Sequence, residues 1–130
     1  MIDILGYVLL GVIGGLVAMQ WFFARKAARA EGQPLPELSG SIAETLHAHN
    51  KSLLYFYSPH CGPCRAMTPI IERMARERSN VLKIDVSQDQ QLARQFHVMA
   101  TPTVIVVTPA TIEKVVLGAM TEPRINALLN

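Results

Sequence analysis

An uncharged, mostly apolar run from Ile4 to Ala24 constrains this chain more than any other feature of its sequence. A helix of that length is roughly 30 Å long, which matches the hydrocarbon core of a bilayer. Tyr7 and Trp21 lie near its two ends, where aromatic rings prefer the boundary between lipid and water. A core helix of a small domain would carry a polar face, and this run has none. We therefore expect one transmembrane helix that contacts the lipid bilayer through residues 4–24.

The charges that flank this run predict its orientation. Asp3 precedes the run, and the basic residues Arg25, Lys26 and Arg29 follow it. A secretory signal peptide has the opposite order, with positive charge before a shorter apolar region, so we expect an anchor that is not cleaved. Basic residues favour the cytoplasmic side of a membrane. The prediction is a single-pass protein of the cell or inner membrane, with its N-terminus outside and its domain in the cytoplasm. The alternative is a periplasmic domain.

Gly11 and Gly15 form a G-x-x-x-G pair within the run. Such a pair lets two membrane helices approach closely, and its functional interpretation is a weak homodimer. Glycine is also common in membrane helices without that role, and we favour this simpler interpretation.

Composition limits what the remaining chain can be. The 130 residues leave room for one small domain beside the anchor. The charges nearly balance, with 12 Lys and Arg against 10 Asp and Glu, and aromatic residues make up 6%. Without a dense basic cluster, nucleic acid is not an expected partner.

The predicted organisation follows from helix breakers and from apolar periodicity. Gly32, Pro34 and Pro36 interrupt the first helix, which we expect to end near Ala30. The predicted divisions are 1–30 for the anchor and its basic flank, 31–38 for a linker and 39–130 for the domain. Within the domain, helical patterns cover 41–49, 65–78, 87–96 and 121–130, and strand patterns cover 52–58, 81–86, 103–108 and 112–117.

This order of elements predicts an α/β domain with a central mixed sheet covered by helices on both faces. Strands joined through helices are expected to be parallel neighbours, and the last two strands, joined by a short turn, antiparallel. Two capping boxes are expected at helix starts, one pairing Ser41 with Glu44 and the other pairing Ser87 with Gln90.

The two cysteines of the chain, Cys61 and Cys64, follow the first expected strand directly. A C-x-x-C pair closes too small a loop to add much stability, which leaves a redox or a metal-binding role. At a helix N-terminus, unpaired N–H groups and a partial positive charge stabilise a thiolate at Cys61. Cys64 lies one turn further on the same face, where it can attack a mixed disulfide formed at Cys61. Gly62 allows a tight turn, and Pro63 is tolerated in the first helical turn.

A second motif, Thr101-Pro102, precedes the third expected strand, where a proline introduces a bend and can adopt the cis form. Together with it, Cys61-Gly62-Pro63-Cys64 resembles the active site of the thioredoxin family. Further positions that match the family are Pro69 in the active-site helix, Lys83–Asp85 as its central strand and Gly118 after the last strand.

The resemblance covers roughly residues 39–130 and implies a thioredoxin-like fold. Its sheet would have four strands, or five if Leu35–Leu38 adds a short edge strand. The family's chemistry is reversible thiol–disulfide exchange, with Cys61 and Cys64 as catalytic residues and their disulfide as the redox centre, without a cofactor or metal. The loop at Thr101 and Pro102 would bind the partner's backbone beside the two sulfurs.

The partners that the resemblance implies are proteins with disulfides or dithiols, together with an upstream thiol reductant. Gly62 and Pro63 between the cysteines resemble the reducing members of the family, so a protein-disulfide reductase is expected. Tethering raises the effective concentration toward membrane proteins, which makes such proteins candidate substrates.

Three departures from the family pattern favour a reaction with one or a few partners. Tyr55 replaces a buried acid that assists proton transfer to the resolving thiol, and Val81 replaces the lysine partner of that acid. Pro59 and His60 precede Cys61 where the family usually has a pair ending in tryptophan. A protonated His60 would favour the Cys61 thiolate, and the alternative is an exposed residue that shapes the partner surface.

Two alternatives from other functional classes stay open. The first is metal binding through the C-x-x-C, although zinc needs two further ligands and His47 and His49 would point away from each other on a helix. The remaining candidate ligands are His60 and His97. The second alternative is a redox-poor binding module that keeps the fold, and the missing buried acid supports it.

Overall fold

The computed structural model describes residues 2–130, with the side chains of all except residues 2, 27 and 28. Its first element is the long helix α1 (Ile2–Ala28). The domain follows as α2 (Ser41–Ala48), β1 (Ser52–Tyr57), α3 (Cys64–Glu77), β2 (Val81–Asp85), α4 (Gln90–Gln95), β3 (Thr103–Val107), β4 (Ile112–Leu117) and α5 (Glu122–Leu129). The expected order of helices and strands is confirmed.

Helix α1 extends away from the domain with its apolar side chains exposed. Its segment Asp3–Lys26 is long and apolar enough to cross a membrane, and none of the most apolar window is buried. The guanidinium of Arg25 lies 3.5 Å from the centroid of the Trp21 ring, a cation–π contact at the end of the apolar run. Length, composition and exposure are therefore those of a helix that could cross a membrane.

The domain contains a four-stranded mixed sheet in the order β2-β1-β3-β4. Strand β1 is parallel to β2 and antiparallel to β3, and β3 is antiparallel to β4. The prediction that strands joined through a helix are parallel neighbours is thus correct for β1 and β2. It is wrong for β2 and β3, which are not neighbours and run in opposite directions. Phe56 of β1 pairs with both Ile84 of β2 and Thr103 of β3. The chain therefore re-enters the sheet at the end where β2 finishes, and β3 runs back in the direction opposite to β2.

The fifth strand considered for Leu35–Leu38 does not form, because the prolines at 34 and 36 lack the N–H groups that a ladder needs. Only an isolated bridge joins Pro34 to Thr111. As a result β2, which contains Lys83–Asp85, is an edge strand of this sheet.

Part of the predicted linker is hydrogen-bonded to β4. The N–H of Gly32 donates to the carbonyl of Ile112 at 2.7 Å, and the N–H of Ile112 donates to the carbonyl of Gln33 at 2.9 Å. The carboxylate of Glu31 accepts the N–H of Val115 at 3.0 Å. These bonds hold the domain close to the C-terminal end of α1.

Two apolar clusters cover the two faces of the sheet, because alternate residues of β1 point to opposite sides. Leu54 and Phe56 face α2 and α4, and Leu53 and Tyr55 face α3 and α5. The largest fully buried side chains outside the sheet are Leu46, Phe96, Met67, Ile71 and Ile125. This packing fixes the start of α3 against β1, which is where the two cysteines lie.

Both predicted capping boxes are wrong. Gly40, at φ 74°, is the N-cap of α2, so Ser41 is already the first helical residue. At α4 the side chain of Asp89 accepts the N–H of Leu92 at 3.1 Å, while the Ser87 hydroxyl donates to Asp85 at 2.6 Å. The carboxylate of Asp85 holds Ser87, and Asp89 caps the helix instead.

Candidate active site

The candidate site is the turn between β1 and α3. The N–H of Cys61 donates to the carbonyl of Ser58 at 3.2 Å, and Pro63 is the N-cap of α3 at φ −61°. Proline suits this place because its missing N–H has no helical partner and its φ is already helical. Helix α3 therefore begins at Cys64, and Cys61 precedes its first turn.

Cys61 and Cys64 form a disulfide, with their Cα atoms 5.3 Å apart. Cys64 is buried at 2% exposure, whereas Cys61 is partly exposed. The N–H of Cys64 donates to Sγ of Cys61 at 3.3 Å. An amide at a helix start that points at this sulfur stabilises negative charge on it once the disulfide is reduced. The exposed sulfur is thus arranged for attack and the buried sulfur for resolution.

Tyr55 lies behind the buried cysteine. It is fully buried in β1, and its hydroxyl lies 2.9 Å from Oγ1 of Thr68 and donates to the carbonyl of Cys64 at 3.4 Å. Burial raises the pKa of Tyr55 above its ordinary value, so the hydroxyl is neutral at physiological pH. It joins β1 to the first two turns of α3 without supplying a charge.

Thr68 is a site residue that the sequence analysis missed. The sequence could have indicated it, because Thr68 lies four residues after Cys64 and therefore one helical turn along the same face of α3.

The residue that replaces the family's lysine is apolar and buried. Val81 packs in the same cluster as Tyr55. The nearest lysine in register is Lys83, opposite Tyr55, and its Nζ lies 2.7 Å from the carboxylate of Glu72. That hydrogen bond raises the pKa of Lys83 and lowers that of Glu72. Lys83 is therefore bound to Glu72 at the surface of the domain.

The Thr101–Pro102 peptide bond is cis, one of the two forms that the sequence motif allows. Pro102 is buried and Thr101 is partly exposed. The N–H of Gly118 donates to the carbonyl of Pro102 at 2.9 Å, and Gly118 has φ 90°, which glycine adopts without strain. The loop is thereby attached to the end of β4.

The histidines are dispersed over the domain. His60 is exposed beside Cys61, and the ring of His49 lies 3.0 Å from the hydroxyl of Ser79. His97 is exposed at the end of α4, at φ 55°. Within residues 2–130, no three His, Cys, Asp or Glu side chains are grouped so that they could hold a metal ion.

Comparison with known proteins gives one consistent result. The family model described as Thioredoxin matches residues 39–130. The thioredoxin of Bacillus subtilis is 30% identical over 78 residues, which cover 58% of this chain and 75% of that protein. The bifunctional thioredoxin reductase/thioredoxin of Mycobacterium leprae is 31% identical over 103 residues, covering 76% of this chain but only 22% of that longer protein.

Solved structures agree with the sequence matches. A mutant thioredoxin from Halobacterium salinarum superposes with a TM-score of 0.63 at 26% identity, covering 72% of this chain and 84% of that one. Sequence, fold and site thus converge on one assignment: this chain belongs to the thioredoxin family and is a thiol–disulfide oxidoreductase.

Proposed function

We propose that this protein is a membrane-tethered protein-disulfide reductase. The observation that carries the proposal is the asymmetry of the two sulfurs: Cys61 is partly exposed and accepts the N–H of Cys64 at 3.3 Å, while Cys64 is buried. A thiolate at the exposed position can reach a protein disulfide, and the buried thiol can reach only its neighbour.

The reaction transfers two electrons in two exchange steps. The Cys61 thiolate attacks one sulfur of a substrate disulfide, forming a mixed disulfide and releasing one substrate thiolate, which takes up a proton. Cys64, as its thiolate, then attacks Sγ of Cys61, which forms the Cys61–Cys64 disulfide and releases the second substrate thiol. The substrate is reduced and the protein oxidised. An upstream thiol reductant restores the dithiol, and the reductase part named in the Mycobacterium leprae relative is a precedent for such a donor.

The neutral Tyr55 supports a narrow substrate range. No carboxylate occupies this position of β1 to accept the proton of Cys64, so the resolving step depends on the substrate complex to bring a base or water to that thiol. A partner that fits the loop at Thr101 and Pro102 would meet this requirement readily, whereas a general disulfide substrate such as insulin would be reduced more slowly.

The activity is tested by insulin reduction with the full chain in detergent micelles. We expect activity in the wild type and none in Cys61→Ser, while Cys64→Ser accumulates mixed disulfides because the resolving thiol is missing. Non-reducing gels detect those adducts. A wild-type rate no greater than that of the variant carrying both Cys61→Ser and Cys64→Ser would leave the redox-poor binding module as the better explanation.

The tether is proposed from α1, whose apolar segment Asp3–Lys26 ends in basic residues. The basic end supports a cytoplasmic domain, with the periplasmic domain as the alternative. Membrane proteins with accessible disulfides are the proposed substrates. The Gly11 and Gly15 pair lies on the same exposed helix, and a homodimer through it stays a prediction.

Sidedness is testable because the chain has only two cysteines. After reduction, a membrane-impermeant maleimide applied to right-side-out vesicles should label Cys61 only once the vesicles are lysed. Labelling of intact vesicles would place the domain outside. Recovery of the full-length chain in the membrane pellet after alkaline carbonate extraction is expected for the anchor, and a shortened soluble chain would indicate a cleaved signal sequence.

A further inference from the structure

A cavity of about 250 Å³ lies where the C-terminal end of α1 meets the domain. Phe23 and Lys26 of α1 line one side, and Val98, Met99 and Leu117 of the domain line the other. The cavity is thus shared between the helix proposed to span the membrane and the loop that leads to β3.

Two of the residues that line this cavity, Met99 and Leu117, are large apolar side chains with high solvent exposure. Met99 is 56% exposed and Leu117 is 42% exposed, and they are the only large apolar side chains with such exposure among the described residues outside α1. Both lie in the same cavity, next to Phe23. Single exposed apolar residues are common on protein surfaces, but a pair that adjoins an apolar helix forms a continuous surface. We call Met99 and Leu117 the apolar rim.

The position of Phe23 indicates what covers this rim. If α1 spans the bilayer as proposed, Phe23 lies near the end of the span, where acyl chains meet the headgroups. Residues that share a cavity with Phe23 must lie at nearly the same depth. Lys26 lines the same cavity, and its amine suits an anionic headgroup at that level.

The short connection between α1 and the domain also supports a position of the domain close to the membrane. Helix α1 ends at Ala28, and the N–H of Gly32 is already bonded to the carbonyl of Ile112 at 2.7 Å. The domain therefore follows the membrane end of α1 closely and is not suspended on a free linker.

We propose that the apolar rim docks on the lipid surface and holds the domain against the bilayer. The inference rests on the proposed anchor and deepens it by naming the surface of the domain that contacts lipid. Its consequence concerns substrates. Met99 lies two residues before Thr101, and Leu117 precedes Gly118, whose N–H is bonded to Pro102. Docking keeps this loop at the membrane surface, which favours disulfides in membrane proteins close to the bilayer over disulfides in soluble proteins.

The test uses the single tryptophan of the chain as a depth probe. The full chain is reconstituted into vesicles of phosphatidylcholine and phosphatidylglycerol, with part of the phosphatidylcholine brominated near the headgroup end of its acyl chains. Bromine quenches tryptophan fluorescence on contact. The wild type reports on Trp21 in the anchor. In a Trp21→Phe background, Met99→Trp and Leu117→Trp report on the rim, and Glu77→Trp, exposed in α3 on the opposite face of the sheet, is the matched control.

We expect loss of fluorescence at 21, 99 and 117 and none at 77. Adding Met99→Asp to the Leu117→Trp chain should abolish quenching at 117, because a carboxylate resists burial in lipid. Quenching at 21 without quenching at 99 and 117 would overturn the docking while the anchor stands. No quenching at 21 would overturn the anchor itself. Tryptophans at 99 and 117 that are shielded from aqueous acrylamide but not quenched by bromine would indicate a protein on the rim, such as a second copy, and would also overturn lipid docking.

Discussion

The hydroxyl of Tyr55 lies 2.9 Å from Oγ1 of Thr68 and also donates to the carbonyl of Cys64, the buried cysteine of the active site. The contact joins β1, a central strand, to α3, the helix that begins with Cys64. Where the family pattern has an ionisable acid, this protein has a neutral hydrogen bond that holds the helix start in place.

The first prediction concerns the strength of this contact. Tyr55→Phe and Thr68→Val should each lower the free energy of unfolding by about 1 kcal/mol, because each leaves a buried hydroxyl or its partner unsatisfied. The double variant should lose less than the sum, since the two hydroxyls act on each other. Urea unfolding of the full chain in detergent measures all four proteins.

A matched control is Thr45→Val, whose hydroxyl bonds only to the exposed carbonyl of Ser41 within α2. It should change stability little. Strict additivity in the Tyr55 and Thr68 cycle would mean that the two hydroxyls do not interact.

The second prediction is a dependence of stability on alkaline pH. Burial raises the pKa of Tyr55 above its ordinary value of 10.0. The folded state therefore holds this proton more tightly than the unfolded state. Its contribution to stability is fully present below about pH 10 and is lost as the pH rises through the folded value. The free energy of unfolding should fall less above pH 10 in Tyr55→Phe than in the wild type.

Thr68→Val provides the comparison for this pH effect. The hydrogen bond from Thr68 lowers the pKa of Tyr55, so its removal should raise that pKa further and steepen the alkaline loss. Parallel curves for the wild type and Tyr55→Phe between pH 9 and 11 would contradict the assignment.

The third prediction is selective alkylation of one cysteine. In the reduced full chain, iodoacetamide should modify Cys61 and spare Cys64, because Cys64 is 2% exposed. Cys61 should also be the more nucleophilic of the two, since the N–H of Cys64 and the start of α3 stabilise its thiolate. Peptide mass spectrometry assigns the modified residue. In urea both cysteines should react alike, and equal modification in the folded protein would contradict the asymmetry of the site.

The fourth prediction separates the two candidate caps of α4. Asp89→Ala should lower the free energy of unfolding by about 1 kcal/mol, because the N–H of Leu92 loses its acceptor. Ser87→Ala should cost less, but it should raise the pKa of Asp85, which the hydrogen bond from Ser87 holds below its ordinary range. Denaturant unfolding measures the first effect and NMR titration of the Asp85 carboxyl the second. A larger loss in Ser87→Ala would restore the capping box that the sequence predicted.

Features that depend on residues close together in the sequence could be predicted from the sequence alone. The apolar run from Ile4 to Ala24, the order of helices and strands, and the position of Cys61 and Cys64 between a strand and a helix follow from periodicity and spacing. The resemblance of Cys61–Cys64 and Thr101-Pro102 to one family then supplied the fold and the reaction. The cap of α4 was predicted wrongly even at short range, because Asp85 binds the hydroxyl of Ser87 and Asp89 accepts the helix N–H instead.

Contacts between distant residues became visible only in the folded chain. Nothing in the local pattern pairs Tyr55 with Thr68, turns β3 antiparallel to β1, or brings Gly32 to Ile112. The same holds for Met99 and Leu117, which meet Phe23 across the chain. Periodicity specifies which side of an element is apolar, but packing selects its partner, because many arrangements bury similar apolar area and the lengths of connections and hydrogen bonds decide among them.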